Sequence, residues 1–170
     1  MSHLMSPFLL SQLLVLVTIV LECVAMQLKR PNRLLLLLSI SCLFNGFHFY
    51  LLEQPTAAYI FWFSSLRFLI CARWKYSWLA YVSIAISSAI CMATFIGVLS
   101  LIGLLGTVLM TLGSFHKDDQ TMRLLMTSGS FIWLVHNVML GTPLGMVLEL
   151  IFVVSGVIGW YRLHCKPFVH

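Results

Sequence analysis

The sequence predicts an all-α membrane protein: seven transmembrane helices in a 3+1+3 arrangement, two parallel three-helix repeats with a linker helix between them. Three observations predict it. Hydrophobic residues make up 61% of the 170 and charged residues 9%, against about 25% charged in soluble domains. Seven spans place Lys29, Arg30, Arg33, Arg73, Lys75, Lys117, Arg123, Arg162 and Lys166 all on one face, and short loops rich in Lys and Arg stay cytoplasmic. Every proline, namely Pro7, Pro31, Pro55, Pro143 and Pro167, falls at the end of an apolar run, where a missing N–H costs little.

The spans follow in order. Helix 1 runs from Pro7 to Gln27 and ends at Lys29-Arg30-Pro31-Asn32-Arg33. Helix 2 covers Leu34 to Leu52, and Glu53-Gln54-Pro55-Thr56 forms a turn. Helix 3 covers Ala57 to Ala72 and ends at Arg73-Trp74-Lys75. From Ser77 to Phe115 there are 39 residues without Asp, Glu, Lys or Arg. At about 1.5 Å per residue that is roughly 58 Å of helix, too long for one span. Two helices with a turn near Ala93 to Gly97 resolve it. A single helix there would also put Lys117 and Arg123 outside. Helix 6 covers Met122 to Leu140, Gly141-Thr142-Pro143-Leu144 is a turn, and helix 7 covers Gly145 to Tyr161. The resulting orientation is N-terminus outside and C-terminus cytoplasmic.

A shift of 88 residues lays Lys29 on Lys117, His48 on His136 and Pro55 on Pro143. Helices 1–3 (residues 7–75) then match helices 5–7 (residues 96–163), and residues 76–95 are the linker helix. Parallel repeats of this kind are a transporter architecture. Helices 4 and 5 carry stripes of small residues, Ala80, Ser83, Ser87, Cys91 and Thr94, then Ser100, Gly103, Thr107, Thr111 and Ser114. Such stripes let membrane helices approach closely.

Ionisable groups within hydrocarbon are costly and normally face a bundle interior. Glu22 and Arg67 lie at matched depth near the inner ends of helices 1 and 3, which predicts an intramembrane ion pair between them. His136, Asn137 and Glu149 lie about one turn below the outer ends of helices 6 and 7. A carboxylate beside an imidazole suits a proton or cation relay, because His titrates near neutral pH. Asn45 and His48 share a face of helix 2, in the place that Trp133 and His136 hold in the second repeat. Trp62 and Trp133 are candidates to stack on a planar or sugar ligand. Asn45, His48, Trp62, Trp133, His136, Asn137 and Glu149 therefore make the candidate substrate site. Asp118 and Asp119 read as a solvated loop.

Other classes lack support. The net charge of +5 follows topology, and no basic run with aromatic platforms suits nucleic acid. No HExxH, serine elbow or phosphate-cradling loop is present, so the chain is not expected to be an enzyme or to need a cofactor. His3, His116, His164 and His170 have no metal-ligand spacing. Cys23, Cys42, Cys71, Cys91 and Cys165 show no CxxC pair and read as buried thiols. The first apolar run lacks a basic n-region and reads as a retained helix.

Asn45-Gly46-Phe47-His48-Phe49-Tyr50-Leu51-Leu52, Leu66-Arg67, and Trp133-Leu134-Val135-His136-Asn137 with Gly141 and Glu149 resemble the YgjV-type bacterial inner-membrane proteins, over roughly residues 10 to 163. The resemblance carries no settled activity. Its helical plan is similar to SWEET sugar transporters and other PQ-loop-type proteins. The chain departs from those in having no proline inside a span and no Pro-Gln pair, and it has Ser64 where the YgjV pattern has an amide. The expectation is a small polar solute transporter of the bacterial inner membrane, working by SWEET-like alternating access without an ATP motor and with proton or cation coupling through Glu149 and His136. Its partners are then the lipid bilayer and that solute. The alternative is a non-transporting membrane module: a partner subunit, an assembly factor or a receptor.

Overall fold

A computed structural model describes residues 7–28 and 30–164. His3, Lys29, Cys165, Lys166, Pro167 and His170 lie outside the described residues, as do the side chains of Arg162 and His164. The described chain is helical: α1 Pro7–Gln27, α2 Pro31–Leu51, α3 Pro55–Arg73, α4 Ser77–Ala93, α5 Val98–Phe115, α6 Asp119–Leu140 and α7 Pro143–His164. Four helices start on proline. A first-turn residue has no intrahelical partner for its N–H, and proline's fixed φ suits that position. This is why α2, α3 and α7 start two or three residues earlier than the apolar runs suggest. Helix α6 also starts earlier, at Asp119 rather than Met122. Asp118 caps it by accepting from the Thr121 N–H at 2.8 Å and the Thr121 hydroxyl at 2.7 Å, and Asp119 pairs with Arg123 at 2.8 Å. The expected solvated loop is thus a helix start.

Helices α1, α2, α3, α5 and α7 are long and apolar enough to cross a membrane. Helix α4 is a shorter apolar helix of 17 residues, at the lower limit of about 17 residues for a span. Helix α6 carries its polar groups inward: Arg123, Ser130, His136 and Asn137 are buried.

The helices form a closed ring. Contacts run α1·α2, α2·α3, α3·α5, α5·α6, α6·α7 and α7·α1, with α4 docked outside against α3 and α5. Exchanging α1 with α5, α2 with α6 and α3 with α7 maps every ring contact onto another. The register agrees. Pro31 and Asp119 start α2 and α6, 88 residues apart, and Pro55 and Pro143 do the same for α3 and α7. Glu53 (φ 57°) and Gly141 (φ 76°), also 88 apart, take the same left-handed conformation in the two short turns.

The small-residue stripes form the close contacts. Ala80, Ser83, Ser87 and Cys91 are the buried residues of α4, and Ser100, Gly103, Thr107, Thr111 and Ser114 are buried on α5. Thr56, Thr94 and Ser100 hydroxyls bond to one another where the α4–α5 turn meets the start of α3. With no hydrophobic drive between helices in lipid, packing and such bonds hold them together.

Candidate functional site

The middle of the ring is filled by rings. Phe49 of α2, Phe61 of α3, and Trp133 and His136 of α6 pack with centroids 4.7–5.7 Å apart. Trp133 is 1% exposed, and it lies against Gly103 and Gly106 of α5, where any Cβ would crowd its indole. Two glycines on one helix face are what let so large a side chain sit at the centre.

Directly beside this plug is a small cavity. Its walls are Glu22, Leu38, Cys42, Phe61, Phe68, Met110, Glu149 and Phe152, and its volume is about 20 Å³. A water needs roughly 10–15 Å³ by this measure, so the cavity holds about one. Glu22 and Glu149 are both buried, and they sit on α1 and α7, which touch. The 88-residue register places Met110 opposite Glu22 and Phe61 opposite Glu149. The cavity therefore lies between equivalent positions of the two halves, with one acidic wall and one apolar wall.

Each carboxyl is held by a serine of the neighbouring helix. Ser41 of α2 donates to Glu22 Oε1 at 2.6 Å, and Ser130 of α6 donates to Glu149 Oε2. The second oxygen of each carboxyl has no hydrogen bond from a described residue. The expected Glu22–Arg67 ion pair is not formed. Arg67 turns to α5 instead, donating from Nη1 to Ser114 Oγ at 2.7 Å and to the Met110 carbonyl at 3.4 Å, and its guanidinium lies 4.3 Å from the Phe68 ring centroid. Matched depth on α1 and α3 was a poor guide because α2 stands between them in the ring. Arg67 Nε remains buried without a partner.

The other candidates divide. Glu149 bonds Ser130 rather than His136, whose ring is part of the plug and whose Nδ1 has no partner. Asn137 accepts from Thr142 at 3.0 Å and holds the turn into α7. His48 donates from Nδ1 to the Ser11 carbonyl at 3.1 Å, tying α2 to α1, while its Nε2 is unpartnered. Asn45 is buried on α2. Trp62 is not central. It forms an aromatic group with Phe47, Tyr50 and Tyr59, all exposed on the outside of the bundle, and covers Gly46. Among the described residues no group of three His, Cys, Asp or Glu is placed to hold a metal ion.

Sequence reasoning missed Ser41, Ser130, Cys42 and Phe61. One signal was present. The 88-residue shift aligns each intramembrane Glu with a large apolar residue, Met110 or Phe61, and so marks two polar exceptions at core positions.

The sequence model of the Imp-YgjV family, described as bacterial inner membrane protein, matches residues 9–166. The inner membrane protein YgjV of Escherichia coli (strain K12) is 29% identical over 112 residues, which cover 66% of this chain and 61% of that protein. This chain thus spans about three-fifths of that relative's length. No solved structure matches.

Proposed function

The chain belongs to the Imp-YgjV family of bacterial inner membrane proteins, and we propose that it moves a small polar solute across that membrane by alternating access. The carrying observation is the pair of buried carboxyls on one small cavity between equivalent halves of the ring. Uncompensated ionisable groups at membrane depth are costly, and by default mark ion or substrate pathways. Phe61 of the aromatic plug is a wall of this cavity, so admitting a solute requires the plug residues Phe49, Phe61 and Trp133 to move. No ATP motor is part of this scheme. The basic loops favour an outside N-terminus and a cytoplasmic C-terminus.

One observation favours a second reading. The cavity does not extend to His48, Trp133 or His136, and a centre that stays closed suits a non-transporting membrane module. A ligand screen separates the two. Purified protein in detergent is melted with sugars, nucleosides, amino acids and vitamins, beside a Glu149→Gln variant. A ligand of the folded state raises apparent stability by mass action. A stabilising ligand whose effect is lost in the variant supports transport and gives the substrate class. No stabilisation across the panel, with both proteins folded, supports the module.

A further inference from the structure

We propose that Glu22 of α1 and Glu149 of α7 form a carboxyl pair that holds one exchangeable proton on the small cavity they both line. The existence of this site is independent of the solute; only its role as the coupling ion rests on the transport reading.

Four observations carry it. Both residues line the same cavity, from the neighbouring helices α1 and α7. Both side chains are at least nine-tenths buried, at 9% and 5% exposure. Each accepts one serine hydroxyl and leaves the other oxygen without a partner among the described residues. Among the described residues neither has a cation within salt-bridge distance: the salt bridge is Arg123–Asp119, at the start of α6, and Arg67 donates to α5.

Two anionic carboxylates in this setting would place uncompensated like charge in hydrocarbon. Something positive must accompany them. A metal cation would require about six oxygen ligands, and the remaining walls are Leu38, Phe61, Phe68, Met110, Phe152 and the Cys42 thiol. A proton requires only one carboxyl oxygen to carry it and a second to accept. Sharing one proton between two carboxyls is the arrangement that like charges at close range enforce. A water in the cavity, which is large enough for one, can relay it between the free oxygens. Among the described residues, the buried titratable and charged groups on the elements packed around the pair are Cys42 and His48 of α2, Arg67 and Cys71 of α3, and Arg123 and His136 of α6; α5 contributes none. Proton uptake adds one positive charge to the pair and release removes it, with no other bond made or broken.

The measurement is an infrared pH titration of the purified full chain in lipid nanodiscs, following the carbonyl stretch of protonated carboxylic acid. Glu53, Asp118 and Asp119 lie at helix ends, and loss of a neutral-pH protonated-acid band in a variant lacking Glu22 and Glu149 assigns that band to the pair. The expected result is such a band in the wild type, unaffected by sodium. It is lost in the Glu22→Gln/Glu149→Gln double variant. In each single variant the remaining acid titrates at a different pH from the wild-type pair. Absence of the band at neutral pH overturns the proposal, as does its displacement by sodium. Single variants whose remaining acid titrates as in the wild type would show two independent carboxyls and equally overturn it. The wild-type band and its sodium response require no variant, so a folding defect in either substitution leaves the test intact. Failure of the ligand screen, by contrast, leaves this band unchanged.

Discussion

At Glu53 the backbone holds φ 57°, a conformation that its counterpart in the second half gives to Gly141. A residue with a Cβ in the left-handed region carries roughly 1–2 kcal/mol of strain. Glu53→Gly is therefore expected to raise the melting temperature, by an amount worth at most about 1 kcal/mol after glycine's entropic cost. An unchanged or lower melting point would refute the strain. Asp118 acts through its charge. The Thr121 N–H, with the Thr121 hydroxyl, holds its carboxyl below the ordinary value of 3.8. A depressed folded value means that the stabilisation is fully present above the unfolded value and is lost as pH falls through the folded one. The difference in melting temperature between wild type and Asp118→Asn should thus shrink on acidification below about pH 4; a difference that grows there would contradict the cap. At this scale the intramembrane residues Glu22, Arg67, His136 and Glu149 were legible in the sequence, because charge in an apolar run stands out. Their partners were not. Ser41 and Ser130 look like any small residue of a membrane helix, and only helix order decides which serine meets which carboxyl.

Elements were more legible than contacts. The turn between α4 and α5 followed from length alone, and the small-residue stripes are the buried faces of both helices. Helix starts were less so, since proline and a capping aspartate belong to the helix physically yet interrupt its hydropathy. The close approach of α5 and α6 depends on glycine. A Cβ at Gly106 would lie 2.8 Å from Trp133 Cδ1 and 3.1 Å from the Gly129 carbonyl. Gly106→Ala must push the indole or part the helices. Overpacking of this kind costs about 1–3 kcal/mol, so the variant should melt lower. Gly97, whose added Cβ meets nothing within 4 Å, is no control because of its positive φ. Gly159→Ala on α7, also in open space, should melt as the wild type does. Equal losses at Gly106 and Gly159 would contradict the packing account.

For the whole molecule, six helices close a ring whose contacts repeat under exchange of its halves, and the exceptions to the repeat are where chemistry concentrates. Glu22 and Glu149 stand where the other half has Met110 and Phe61. The 88-residue shift made the repeat legible, yet not the ring, because adjacency of α1 to α7 and of α3 to α5 is a tertiary fact. That adjacency is why the expected Glu22–Arg67 pair gave way to two carboxyls on one cavity. In the orientation proposed from the basic loops, the turns at Glu53 and Gly141 face outward. Reporter fusions after each should report an external location, and a cytoplasmic signal at either would overturn the orientation.

Cys42, a buried thiol on the cavity wall, gives the most direct access to the central claim that this cavity opens in turn to each side. With Cys23, Cys71, Cys91 and Cys165 replaced by serine, a small membrane-impermeant thiol reagent is applied to sealed vesicles from one face and then the other. The account predicts slow labelling of Cys42 from both faces, much slower than in denatured protein. Labelling from neither face, or from one face only, while the denatured protein labels fully, would contradict it.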